Sequence, residues 1–209
     1  MIDAIMGAIE SVMQTEWVYP LVGVLIFIDC FIPLMPSEIP LNIAGTWYGA
    51  QGFPHFGTMF TVAVISAAIG DNLCYSLATR LMPLINRAQE GTKAYEGLQW
   101  VKRNMRRNAG AAIIIARFIP SARLIMTILL GAMRYSWPAF VFFDTIGVML
   151  WAAQALAIGW VGGVLFGGNP ALAVAVSLVA AVALGYGLQK GINSLMNWRD
   201  TRRGYAETP

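Results

Sequence analysis

The chain has 209 residues, 57% of them apolar and only 12% charged, with a mean hydropathy of +0.61. A soluble domain of this length has no use for so much apolar surface, so the composition excludes one and points to an all-α polytopic membrane protein. The formal net charge of +3 suggests no nucleic-acid partner, and the two cysteines, Cys30 and Cys74, lie in apolar runs without metal-ligand spacing, so neither a metal nor a cofactor is expected.

Charge placement sets the expected topology. No Lys or Arg precedes Arg80, seven fall between Arg80 and Arg107, and four lie between Lys190 and Arg203. By the positive-inside rule both basic segments face the cytoplasm. The N-terminus carries Asp3, Glu10 and Glu16 and no basic region, unlike a signal peptide.

In chain order, residues 1–16 place Ile2, Ile5, Met6, Ile9 and Met13 at helical spacing opposite Asp3 and Glu10, which predicts an interfacial amphipathic helix anchored by Trp17 and Tyr19. Residues 18–50 hold two short apolar pieces on either side of Pro33 and Pro36. Each proline removes a backbone donor and clashes one turn back, so a helix should stop there. The first piece gives ~22 Å of helix against a ~30 Å hydrocarbon core. This pattern predicts a re-entrant hairpin whose tip carries Asp29 and Glu38. A tip of this kind is tolerated at membrane depth only when buried in protein or lining a water-filled cavity.

A turn over 51–56 leads into a full span over 55–82, closed by Arg80 and Pro83. Residues 84–108 carry most of the charge and predict a cytoplasmic amphipathic segment, either docked on an anionic leaflet or serving only to set topology. Residues 112–133 repeat the broken pattern around Pro120, now flanked by Arg117 and Arg123. Residues 139–166 form a second span containing Asp144 and Trp151, residues 171–196 a third, and 197–209 a basic cytoplasmic tail. The whole is one membrane domain.

The two halves echo each other. Pro36-Ser37 is followed 18 residues later by Pro54-x-Phe56, and Pro120-Ser121 at the same interval by Pro138-x-Phe140. With residues 84–108 cytoplasmic, the first hairpin enters from outside and the second from inside. The fold class expected is therefore two inverted re-entrant helical hairpins plus transmembrane helices, with the tips meeting near the midplane as in secondary transporters.

Asp29 and Glu38 would come from one tip, Arg117 and Arg123 from the other. Each unpaired charge at the bilayer centre costs roughly 2.5–3.5 kcal/mol on insertion scales, so four must be paired or hydrated. One reading is a salt-bridge network that locks the hairpins together. The other is an anion site, because the guanidinium fork suits phosphate oxygens and a carboxylate beside it can load and release a proton. Asp71, Asn72 and Asp144 are further polar groups inside the long spans, suited to helix packing, with Asp71 the better candidate for a proton path. The glycines of GAMRYS and GWVGGVLFGG suit close helix approach. His55 is the only histidine, and neither HExxH nor GxSxG occurs, so no enzyme is expected.

These blocks resemble the DedA family, also called SNARE-associated or VTT-domain proteins. DCFIPLMPSEIPLNIAG is similar to its E-N-x-x-P-x-x-P-S-E-x-x-x-x-x-A-G, and GDNLCYSLATR to G-D-x-x-x-Y-x-x-G-R. RFIPSARLIMTILLGAM, with Phe140, Gly147 and Trp151, is similar to R-F-x-P-x-x-R, A-G-x-x-M, F, G and W. The likeness runs over residues 29–167. The chain departs from it at Asp29 for Glu, Ala78 for Gly and Leu130 for Ala. The resemblance implies opposed re-entrant hairpins and lipid traffic: return of undecaprenyl phosphate with proton coupling in bacterial relatives, phospholipid flipping or scrambling in others. It implies functional roles for Asp29, Glu38, Arg117 and Arg123.

The expected protein is a multi-pass bacterial plasma-membrane flippase for a polyprenyl phosphate. Arg117 and Arg123 would hold the head group, and Glu38, Asp29 and Asp71 would couple protons. Pro33, Pro36, Pro120, Ser37, Ser121 and Asp144 would shape the site. The partners are a membrane lipid and protons, and a homo-oligomer is compatible with the sequence. The alternatives are a phospholipid scramblase without ion coupling and a structural or assembly membrane protein.

Overall fold

The computed structural model describes residues 11–32, 37–85, 109–118, 122–166, 172–177, 179, 180, 183 and 187. Among the described residues every regular element is a helix: α1 Val18–Asp29, α2 Glu38–Gln51, α3 Phe56–Ile85, α4 over residues 109–116, α5 Ala122–Ala132, α6 Trp137–Phe166 and α7 over residues 172–177. The expected interfacial helix over 1–16, the basic segment 84–108 and the tail 197–209 lie wholly or mostly outside the described residues. So do the hairpin tips at Pro33, Pro36, Pro120 and Ser121, and most of the third span.

Three prolines sit in the first turns of helices. Pro20 and Pro40 are the third residues of α1 and α2, and Pro138 is the second of α6. In the first turn a backbone N–H has no intrahelical partner, so its absence costs nothing and the fixed φ favours the helix. This is why the second long helix starts at Trp137 and not at 139. Helix α1 already ends at Asp29, before Pro33 is reached. Helix α3 continues through Pro83 to Ile85, because a long nucleated helix survives the loss of one bond near its end.

Helices α3 and α6 are each 30 residues long, and the stretches Phe56–Arg80 and Trp137–Phe166 are long and apolar enough to cross a membrane. On α3, Ile65, Ile69, Leu73 and Leu77 recur every four residues and are each at least half exposed. Buried Ala63, Ala67, Gly70, Cys74 and Ala78 line the opposite face. An unbroken apolar stripe on the outside suits lipid contact. Helices α1, α2 and α5, of 12, 14 and 11 residues, are each too short to cross a ~30 Å core alone.

Small residues decide the closest approach. Gly45 and Gly49 of α2 face the backbone carbonyls of Leu156 and Trp160 on α6, and Gly159 and Gly163 of α6 face those of Asn42 and Thr46 on α2. The two helices thus meet backbone to backbone along a reciprocal four-residue spacing of glycine, the geometry of small-residue membrane seams. Asn42 adds a side-chain bond across it, Nδ2–H to Ala155 O at 3.4 Å.

The main core gathers Val18, Val22 and Ile26 of α1, Leu41 and Trp47 of α2, Met59 of α3, and Val148 and Leu156 of α6. A second cluster joins Tyr75, Ile113, Leu130 and Phe140, with the Tyr75 and Phe140 rings stacked at 4.7 Å. Two turns close the frame. Gly52 ends α2 at φ 78°, where L side chains are strained, and its N–H bonds Tyr48 O at 2.8 Å. At the end of α5, Tyr135 N–H reaches back to Leu130 O at 3.0 Å across Arg134, whose φ is 52°. The Tyr75 hydroxyl donates to Tyr135 O and ties α3 to the same turn.

Candidate functional site

Asp71 sits halfway along α3 and is 1% exposed. No cation on α3 is near enough to pair with it: Arg80 stands nine residues, or ~14 Å, along the helix. Its partners come from the other half of the chain. Arg117 lies just past α4, where the Arg117 and Phe118 N–H groups bond Ile114 O and Ile115 O in a tightened last turn. From there its Nη1 donates to Asp71 Oδ2 at 2.6 Å and to Asp144 Oδ1 at 3.2 Å. Arg123, in the first turn of α5, donates from Nη1 to the other Asp71 oxygen at 2.6 Å.

The second nitrogen of Arg123 closes on the end of α1. Nη2 donates to the Asp29 backbone carbonyl at 2.8 Å and to Asp29 Oδ2 at 3.2 Å. A helix C-terminus leaves its last carbonyls unpaired and carries partial negative charge, so a guanidinium there satisfies both. Ser37, just before α2, turns its hydroxyl away from capping and donates to Asp29 Oδ2 at 2.8 Å. Five charged side chains from five places in the chain thus form one network, none more than 15% exposed.

Glu38 stands apart from the ion pairs. It opens α2, is exposed, and its Oε1 accepts the Trp151 Nε1–H at 3.1 Å. The Trp151 ring faces Arg117, whose Cζ lies 5.3 Å from the ring centroid. Trp151 therefore links Glu38 to the network through a hydrogen bond at its edge and a cation–π contact at its face. Asp29, Ser37, Glu38, Arg117, Arg123 and Trp151 line a cavity of about 20 Å³, with room for a water molecule but not for a phosphate group. A second cavity of about 70 Å³, lined by Phe118, Ala155 and Ile158 with Asn42 and Gln154, shares the Glu38–Trp151 wall.

The structure brings together four of the residues singled out from sequence, Asp29, Arg117, Arg123 and Asp71, with Ser37 and Asp144 beside them. It makes Asp71 the hub and moves Glu38 to the rim. The signal for Asp71 was present: a carboxylate in mid-span is farther from water than one at a helix end, so the insertion cost presses hardest there; Asp144, in the first third of α6, carried a weaker one. Trp151 as a bridge had no local signal, being 113 residues from Glu38. Cys30 and Cys74 are buried and free, with Cys30 packed on Gly70.

Residues 32–161 match the family model of the VTT domain. The chain is 27% identical to undecaprenyl phosphate transporter A of Staphylococcus aureus over 147 residues, 68% of this chain and 72% of that one. It is 25% identical over 147 residues to an uncharacterised membrane protein of Mycobacterium tuberculosis, covering 68% of this chain and 65% of the relative's length. An alkaline phosphatase-like protein of Lactococcus lactis is 27% identical over 154 residues, 66% of this chain and 67% of its own. No solved structure matches the chain.

Proposed function

The chain belongs to the VTT-domain family, and on that premise we propose that it carries a polyprenyl phosphate across a bacterial plasma membrane with proton coupling. The observation that carries this reading is the pair of arginines converging from separate elements on one buried carboxylate beside a cavity. A phosphate offers the same paired oxygens as a carboxylate, so an arriving head group competes directly for Arg117 and Arg123. The cavity beside the ion pairs has room for a water molecule only, so in this reading the head group binds as the elements carrying those pairs part.

In this reading the short helices α1 with α2 and α4 with α5 are two re-entrant hairpins of opposite orientation, and the ion pairs join them. The prenyl tail stays in the bilayer, and its first units lie in the apolar cavity beside Phe118 and Trp151. Protons exchange with the carboxylates that the phosphate displaces. The name of the staphylococcal relative supports the lipid class.

The test is reconstitution in vesicles with fluorescent polyprenyl phosphate or phosphatidylethanolamine, with and without an imposed pH difference, while free phosphate is measured. Selective, gradient-dependent movement of the polyprenyl phosphate is expected. Equal movement of both lipids without a pH response would replace the reading with scrambling. Release of inorganic phosphate would replace it with hydrolysis, and no movement at all with a structural role.

A further inference from the structure

We propose that Asp144 is the proton-carrying carboxyl of the network: it holds a proton in the ion-paired arrangement described above and yields it when the ion pairs part and water reaches it. The protonation stands on geometry alone; its link to opening rests on the transport reading.

Among the described residues the cationic partners of Asp29, Asp71 and Asp144 are Arg117 and Arg123, so three carboxylates face two guanidinium groups. All five are at most 15% exposed, which leaves one uncompensated negative charge in a poorly hydrated place. A lone buried charge is far more expensive than a neutral acid, so the set binds one proton.

Geometry decides where. Asp71 receives a 2.6 Å bond from a guanidinium on each oxygen and is the best-stabilised anion of the three. Asp29 Oδ2 receives the Ser37 hydroxyl at 2.8 Å and Arg123 at 3.2 Å, and the group borders the cavity. Asp144 has the weakest claim to a charge. Its one cationic contact, 3.2 Å from Arg117 Nη1, is shared with Asp71 at the shorter distance, and its Oδ2 is buried with no partner among the described residues.

The charged groups facing Asp144 are Asp71 from α3, Arg117 from the end of α4 and Arg123 from α5. Asp29 on α1 and Glu38 on α2 reach it only through Arg123 and Trp151. Glu38 keeps its exposure to solvent and stays outside the count. On closing, Oδ2 forms an O–H bond with a proton taken from water. On opening that bond breaks, the proton returns to water, and the hydrated carboxylate remains.

The experiment is infrared spectroscopy of the full-length protein in lipid nanodiscs near neutral pH, with and without 13C at the aspartate side-chain carboxyls. A protonated-carboxyl C=O band that moves with the aspartate label is expected in the wild type and is lost in Asp144→Asn. Absence of that band in the wild type, or its survival in Asp144→Asn, overturns the proposal. Should Asp144→Asn fail to fold, Asp144→Glu decides: the band must persist and stop responding to the aspartate label, and a continued response overturns the assignment. In vesicles, Asp144→Asn loses the pH dependence of lipid movement, and retention of it overturns the link to opening. If the wild type moves no lipid, the transport reading fails and the infrared result still judges the protonation.

Discussion

Replacing Gly159 with Ala measures how much the backbone seam between α2 and α6 contributes to the fold. The new Cβ would stand 2.9 Å from Thr46 N and 3.0 Å from Asn42 C, and closer still to Asn42 O. These are main-chain atoms and cannot rotate aside. Carbon contacts are comfortable at ~3.5–4.0 Å, so the helices must part by ~1 Å along this stretch. That also loosens Gly45 against Leu156 O and Gly163 against Thr46 O. Overpacking of this kind costs about 1–3 kcal/mol, against a gain of about 1 kcal/mol from the better helix propensity of Ala. Gly57→Ala supplies the control, because nothing lies within 4 Å of a Cβ there. Gly57 lies in the first turn of α3, where the interior propensity gain does not fully apply, so with that gain set against the clash Gly159→Ala should be less stable than Gly57→Ala by about 1–2 kcal/mol. Unfolding in mixed micelles at rising SDS fraction reads the difference. Equal stability, or a more stable Gly159→Ala, would mean that α2 and α6 do not meet on these glycines.

Three further outcomes are expected. Asp71→Ala strips both arginines of their 2.6 Å partner, and breaking a buried pair costs about 3–5 kcal/mol; a variant that accumulates and unfolds like the wild type would refute the hub. Arg117→Lys and Arg123→Lys keep the charge and lose the planar fork, so both should insert normally and lose most transport of polyprenyl phosphate in the vesicle assay; normal transport in both would remove phosphate recognition. Glu38→Gln retains an oxygen for the Trp151 N–H, so its stability should match the wild type and its pH response should persist. Loss of the pH response in Glu38→Gln together with its retention in Asp144→Asn would return the coupling role to Glu38.

The parts of the site that follow from cost alone were legible in the sequence. Arg117 and Arg123 lie in an apolar stretch and had to find anions, and Asp29 was among the few available. Which anion sits between them was not legible, because spacing along α3 does not say which neighbours Asp71 faces until the second half of the chain has packed on it. Glu38 illustrates the converse: it stands exposed at the start of α2, and among the described residues its partner is the Trp151 N–H and not a cation. Gly131, Gly159, Gly162 and Gly163 were legible as places of close approach, since a missing side chain has few other uses inside an apolar helix. Pro138 was not read as part of α6, because a proline signals a boundary without saying on which side of it the helix lies.

The ion-pair network also has a consequence for how the protein is made. Asp29 and Asp71 belong to the first half of the chain and both arginines to the second, so every pairing of those two acids joins residues synthesised 46 to 94 positions apart. Two such acids entering the membrane early would cost about 5–7 kcal/mol on insertion scales, a cost that is offset only when Arg117 and Arg123 arrive. Biogenesis is therefore incomplete until the last partner is inserted. A truncated chain ending before Arg117 presents unmatched polar groups of the kind membrane quality control removes, and supplying the missing half as a separate polypeptide should prolong its lifetime.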